Sequence, residues 1–326
     1  MIHSYLLCIQ ILLMKLYTSK NKKAISNVVR GKKMKKGAFA VLMCYVLWGI
    51  LPIFWKLLNQ LDPVYILASR IFWSLIFCFV LIIFKKESLK IKEVIKNKKE
   101  ILLLCAAGVM VSINWGSYIW AVNNNHILEA SLAYYMNPII TILMGFACFK
   151  EKLNKNQWIS VVIAFIGVMI PIIRYGQVPY LAVIIGGSFA IYGAIKKMVK
   201  AESQVSLIIE TAAVTPIAIV YIIYAEINGI GAIGVIHNPM QFLLLPLAGI
   251  ITAVPLLLFA QGIKSTPYSL AGILMYVNPA LQLLIGVILY KEKFTAINAI
   301  TFGFIWIALI IFLMSNMDIS KKTELA

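Results

Sequence analysis

Arg70 and Glu210 are each the sole charge in a long apolar run, residues 63–84 and 204–225. Charge inside hydrocarbon is expensive, so such a residue persists where it serves a solute, an ion or a partner group. At the helical rise, Arg70 lies about 10 Å inside one membrane face and Glu210 about 9 Å inside the other. A roughly 30 Å core leaves about 10 Å of depth between them, near the combined reach of the two side chains. Two assignments follow. Arg70 holds an anionic group of a solute, or fixes a gate, while Glu210 carries a proton; or the two form a static pair between helices.

A second set of polar groups recurs. Asn137-Pro138 and Asn278-Pro279 sit near the centres of two apolar runs. Proline has no N–H, so the carbonyls of Tyr134 and Met275 are expected to lose their helical donors. Those carbonyls, the two Asn amides, Tyr135 and Tyr276 are expected to line a cavity, unless Pro138 and Pro279 are only packing kinks. Asn114, Trp115 and Tyr118 add an amide and two rings, with 114 and 118 on one helix face. Gln261 and Gln282 add uncharged polarity. Such a surface suits a flat or amphipathic organic solute. Trp120 fits an interfacial aromatic belt. Glu129 fits a charge at a helix N-terminus, and Lys150-Glu151-Lys152 a helix end.

Positioning these groups is the task of membrane spans. The chain of 326 residues is 62% hydrophobic and 13% charged, about half the charge of an ordinary soluble domain. Both a soluble globule and a disordered chain are excluded. Runs of about 20 apolar residues cross a bilayer as helices. Ten are expected, at 37–58, 63–84, 101–122, 128–149, 157–173, 178–196, 205–225, 241–262, 268–290 and 295–315. The Gly- and Asn-containing stretch 227–240 reads as a loop. Of 30 Lys and Arg, 25 fall on the side of the termini and three (Arg174, Lys291, Lys293) on the other. That bias puts both termini in the cytoplasm. Residues 1–36 read as a basic tail, with Met34 a plausible true start, and 316–326 as a cytoplasmic tail.

The chain repeats itself. A shift of 141 residues lays Tyr135-x-Asn137-Pro138 and Lys150-Glu151-Lys152 on Tyr276-x-Asn278-Pro279 and Lys291-Glu292-Lys293. Trp48-Gly49 and Lys56 pair with Tyr192-Gly193 and Lys200 at a shift of 144. Two five-helix units, 37–173 and 178–315, are therefore expected. An odd number of crossings inverts the second, an arrangement that binds solute near the midplane between the halves.

Other chemistries lack their residues. No GxxxxGK[ST], HExxH or GxSxG occurs, and the only aspartates are Asp62 and Asp318. No catalytic residue, metal site or cofactor is expected. The net charge of +18 is interleaved with apolar runs, which argues for topology signals over nucleic-acid binding. The five cysteines show no paired spacing.

Asn114-Trp115, Tyr118 to Asn123, His126 and Glu129 to Leu132 through Asn137-Pro138 resemble the RarD branch of the EamA family. That family lies within the drug/metabolite transporter superfamily. Trp48-Gly49, Arg70 with Trp73-Ser74, Glu210-Thr211 and Val254 to Leu257 fit the same pattern, and the likeness covers about residues 34–315. Ala133 stands where a Gly is usual, and Asn278 where a Gly often precedes the Pro. The resemblance implies ten helices as two inverted repeats in a bacterial inner membrane and export of small organic compounds. The branch also has an association with chloramphenicol sensitivity that does not make chloramphenicol the solute. The expected partners are a small-molecule solute, the bilayer and protons, with a monomer favoured. An importer or facilitator, and a non-transporting membrane sensor or scaffold, remain the competing readings.

Overall fold

The computed structural model describes residues 31–85, 88–176, 179–291 and 294–325. The apolar stretch Ile2–Met14, Glu292 and Lys293 lie outside the described residues. The chain folds as α1 (Gly31–Leu58), α2 (Pro63–Lys85), α3 (Ser88–Lys96), α4 (Lys98–Asn123), α5 (Ile127–Phe149), α6 (Lys155–Tyr175) and α7 (Tyr180–Met198). It continues with α8 (Ser203–Ile227), α9 (Ala232–Val235), α10 (Pro239–Phe242), α11 (Leu244–Ile263), α12 (Tyr268–Leu274), α13 (Val277–Leu289) and α14 (Ala296–Leu325). No strand occurs among the described residues. Among the described residues, ten helical segments are long and apolar enough to cross a membrane. The architecture is that of a polytopic all-α membrane protein.

Helix ends follow local chemistry. Pro63 opens α2, where a missing N–H costs nothing. Asn97 accepts from the Glu100 N–H at the start of α4, and Asn154 with Gln157 forms a reciprocal cap on α6. Gly176, at φ 75°, closes α6 in the left-handed region that glycine tolerates best. Between these stops, apolar side chains leave the backbone to bond to itself, as a bilayer requires.

Helices α2 and α8 run antiparallel, as do α6 and α14. Tyr65 at the start of α2 donates to Glu226 near the end of α8 at 2.5 Å, and Tyr221 donates to Asp62 at 2.8 Å. Asn154 before α6 bonds Ser315 late in α14 at 2.6 Å. Glu151, after α5, accepts from the Ser269 N–H at the start of α12 at 2.8 Å. The bundle is thus stitched across the halves, and acidic residues supply much of the stitching. Glu129 accepts from the Leu181 N–H at the start of α7, and Glu100 from the N–H groups of Lys200 and Ala201. Carboxylates at helix N-termini meet unpaired N–H groups and the positive end of the helix dipole.

Four local expectations change. Gly31, the first described residue, is already helical, so part of the expected tail belongs to α1. The stretch 227–240, expected as a loop, holds the short helices α9 and α10. Helix α5 runs unbroken through Pro138, so that proline does not break its helix. In the second half the chain does break, at Met275 and Tyr276, and Pro279 sits in the first turn of α13 behind the break. The Met275 carbonyl is not free: it accepts from the Asn278 N–H at 3.0 Å.

Candidate functional site

A cavity of about 450 Å³ opens where both halves meet. Its walls come from the end of α1 (Trp48, Trp55), the start of α2 (Arg70), the end of α4 (Asn114, Trp115, Tyr118) and the first half of α5 (Ala133, Tyr134, Asn137). The second half adds Ile185 and Phe189 from α7, and Met275, Asn278, Pro279 and Gln282 around the break. All these positions lie in the half of the bundle where α1 ends and α2 begins.

Arg70 projects between two indoles. Its guanidinium carbon lies 4.9 Å from the Trp55 ring centroid and 4.1 Å from that of Trp115, within range of cation–π attraction. Its Nε is buried without a hydrogen-bond partner. Nearby amides are ordered by the helices that carry them. Asn114 donates to the Ile185 carbonyl at 2.6 Å, Asn137 accepts from Thr141 at 3.3 Å and Asn278 from Gln282 at 2.8 Å. Tyr118 and Tyr134 meet edge to face, with ring centroids 5.6 Å apart.

The opposite half holds a buried ion pair, Lys196 on α7 with Glu210 on α8, whose side chains are 0% and 2% exposed. Ser206 donates to Glu210 at 2.6 Å and Tyr192 at 3.4 Å. Glycine lets α4 pack closely against α8 here: a Cβ on Gly108 of α4 would lie 2.5 Å from the Glu210 carbonyl oxygen. An aromatic stack joins pair and cavity. Trp48 and Phe189, which line the cavity, are 5.5 Å apart, and Tyr192 packs on Phe189 at 5.7 Å and on Phe259 at 6.0 Å. Outside the spans, Lys264 donates to the Ala201 carbonyl. Burial, together with nearby Lys196, holds its pKa below the ordinary lysine value.

The cavity gathers Arg70, Asn114, Trp115, Tyr118, Asn137, Asn278, Pro279 and Gln282 from the residues expected by sequence. It does not gather Glu210, whose partner is Lys196, so an Arg70–Glu210 pair is absent. Tyr135 and Tyr276 do not line the cavity: the Tyr276 hydroxyl donates to the Tyr135 backbone carbonyl at 3.2 Å, and the Tyr135 ring packs on Phe302. Gln261 is exposed on α11, away from the cavity. Sequence reasoning named Tyr134 for its carbonyl alone, and missed Trp55 and Lys196. Lys196 was counted among the charges that set topology, yet it lies fully buried in the last turn of α7.

The EamA-like transporter family matches residues 35–173. An uncharacterized transporter of Bacillus subtilis, YojE, is 42% identical over 294 residues, 89% of this chain and 97% of the relative. The protein RarD of Escherichia coli is 36% identical over 294 residues, 90% of this chain and 99% of its own length. The chain belongs to the RarD branch of the EamA family. A protein named chloramphenicol-sensitive protein RarD, from Pseudomonas aeruginosa, is 26% identical over 280 residues, 85% of this chain and 93% of the relative. A solved crystal structure superposes with a TM-score of 0.69 at 14% identity, covering 86% of this chain and 98% of that one, which shows a shared fold. This RarD-branch chain is a multi-pass membrane protein, and its relatives include named transporters.

Proposed function

We propose that the chain is a secondary transporter of the bacterial inner membrane that exports a small amphipathic or aromatic solute in exchange for protons carried by Glu210. The units 37–173 and 178–315 act as inverted halves, a reading supported by the antiparallel packing of α2 on α8 and of α6 with α14. With both termini in the cytoplasm, the cavity faces outward and the Lys196–Glu210 cluster seals the inner side. One observation carries the proposal: a solute-sized cavity walled by both halves is separated by an aromatic stack from a buried ion pair on the opposite side. Rocking of the halves about that stack exposes the cavity to either side in turn. Protonation of Glu210 removes the attraction that holds Lys196 and loosens the inner seal; restoring the charge closes it.

The cavity is complete within one chain, which suits a monomer. Counterflow of radiolabelled aromatic and amphipathic solutes in proteoliposomes, with and without a pH gradient, tests the proposal. Flux driven by the gradient and lost in Glu210→Gln is expected. Full gradient-driven flux in that variant removes Glu210 from coupling, flux blind to the gradient makes the protein a facilitator, and no flux across a broad panel points to a sensor or scaffold.

A further inference from the structure

We infer that the solute carries one negative charge on a planar aromatic or amphipathic body, with Arg70 as its counter-ion. The inference deepens the transporter reading and rests on the cavity being the solute site. A membrane-embedded arginine ordinarily pairs with an acid or with carbonyls. Arg70 makes no ion pair among the described residues, its Nε is unpartnered, and no Asp or Glu lines the cavity. The buried carboxylate expected to neutralise it, Glu210, is held by Lys196. Trp55 and Trp115 steady the guanidinium by their ring faces but accept none of its N–H groups as a carboxylate would.

The neighbouring amides lean the same way. Asn137 and Asn278 each commit the carbonyl oxygen to a side chain on their own helix, from Thr141 and Gln282. Among the described residues neither Nδ2 has a hydrogen bond to the protein, so both amides offer donors beside Arg70. A carboxylate or similar anion supplies acceptors and offsets the charge together. A second negative charge on the solute would find no second cation among the lining residues, and an ammonium group would find no carboxylate. Trp48, Trp55, Trp115, Tyr118, Tyr134 and Phe189 account for the flat apolar remainder. The volume of about 450 Å³ holds a body of one or two rings.

The test is binding to the purified full-length protein in nanodiscs, by calorimetry and by indole fluorescence. The probes share one ring system: indole-3-propionate, its uncharged amide, and tryptamine. The carboxylate is expected to bind about tenfold or more tighter than the amide, and tryptamine weakest. Arg70→Gln should bring the carboxylate down to the affinity of the amide, and Arg70→Lys should keep part of the difference. Residual amide binding by the Gln variant shows that the cavity is still folded; if that variant binds nothing, the Lys variant decides. Equal affinity of carboxylate and amide, a preference that survives Arg70→Gln, or no binding by any probe overturns the inference. Charge selection in binding without flux in proteoliposomes would leave the inference standing and sink the transporter reading. Flux of the neutral amide at the rate of the carboxylate would do the reverse.

Discussion

Lys196 and Glu210 meet with both side chains sealed from solvent, one from the last turn of α7 and the other from the first half of α8. Each removes the other's need for water, and Ser206 and Tyr192 satisfy part of what remains of the carboxylate's hydrogen bonding. A buried pair of this kind adds little net stability against an apolar replacement, but breaking it strands a charge.

Lys196→Met should therefore destabilise the protein by about 3–5 kcal/mol. The double variant Lys196→Met with Glu210→Leu should recover most of that loss while abolishing proton-driven flux. Thermal unfolding in detergent, set beside transport, checks both halves. A single variant as stable as the parent would mean that the pair is not closed in the membrane.

Glycine sets how closely α4 approaches this pair. A Cβ at Gly108 would stand 2.5 Å from the Glu210 carbonyl oxygen, a backbone atom that cannot swing aside, whereas nothing lies within 4 Å at Gly116. Gly108→Val should cost about 1–3 kcal/mol or more through overpacking, and Gly116→Ala close to nothing. Expression yield and melting temperature in detergent distinguish the two.

The spans were legible because apolar runs of membrane length have few alternatives, and their ends carry Pro63, Asn154 and Gly176. The cavity was legible in part because intramembrane Arg and Asn are costly enough to advertise themselves. What failed was rotation about a helix axis. Tyr135 and Tyr134 differ by about 100° on an α-helix, and a repeated Tyr-x-Asn-Pro motif says nothing of which residue faces inward. The cavity takes 134 and 137 from one half and their equivalents 275 and 278 from the other, while 135 and 276 bond each other. The two positions that depart from the family pattern, Ala133 and Asn278, both line the wall. Lys196 was missed because a lysine beside Lys197 at the end of a span reads as a solvated flank. Only the proximity of α8 reveals it as a partner.

The indoles about Arg70 give a graded prediction. A cation–π contact is worth about 0.5–2 kcal/mol, and each 1.4 kcal/mol is tenfold in affinity. Trp115, the nearer ring at 4.1 Å, should matter more than Trp55 at 4.9 Å. Trp115→Ala should raise the apparent KM for solute about tenfold and Trp55→Ala about threefold, with Trp→Phe at either site intermediate. Counterflow kinetics supply the measurement. An unchanged KM in both Ala variants would detach the two rings from solute binding.

Accessibility separates the two sides of the bundle. Ala133 lines the cavity in the half nearest the α1–α2 turn, and Ser206 is fully buried beside Lys196 and Glu210 in the other half. In a cysteine-free background, Ala133→Cys should react within minutes with a charged, membrane-impermeant thiol reagent added outside whole cells. Ser206→Cys should resist the reagent from either face at neutral pH, because the ion pair and the aromatic stack beyond it exclude water. Combining Ser206→Cys with Glu210→Gln opens that seal and should make the thiol reactive from the cytoplasmic face of inside-out vesicles. Labelling of Ala133→Cys from the cytoplasmic face alone would reverse the orientation that the lysine bias assigns, and protection of Ser206→Cys after loss of the Glu210 charge would deny the pair its role as the inner seal.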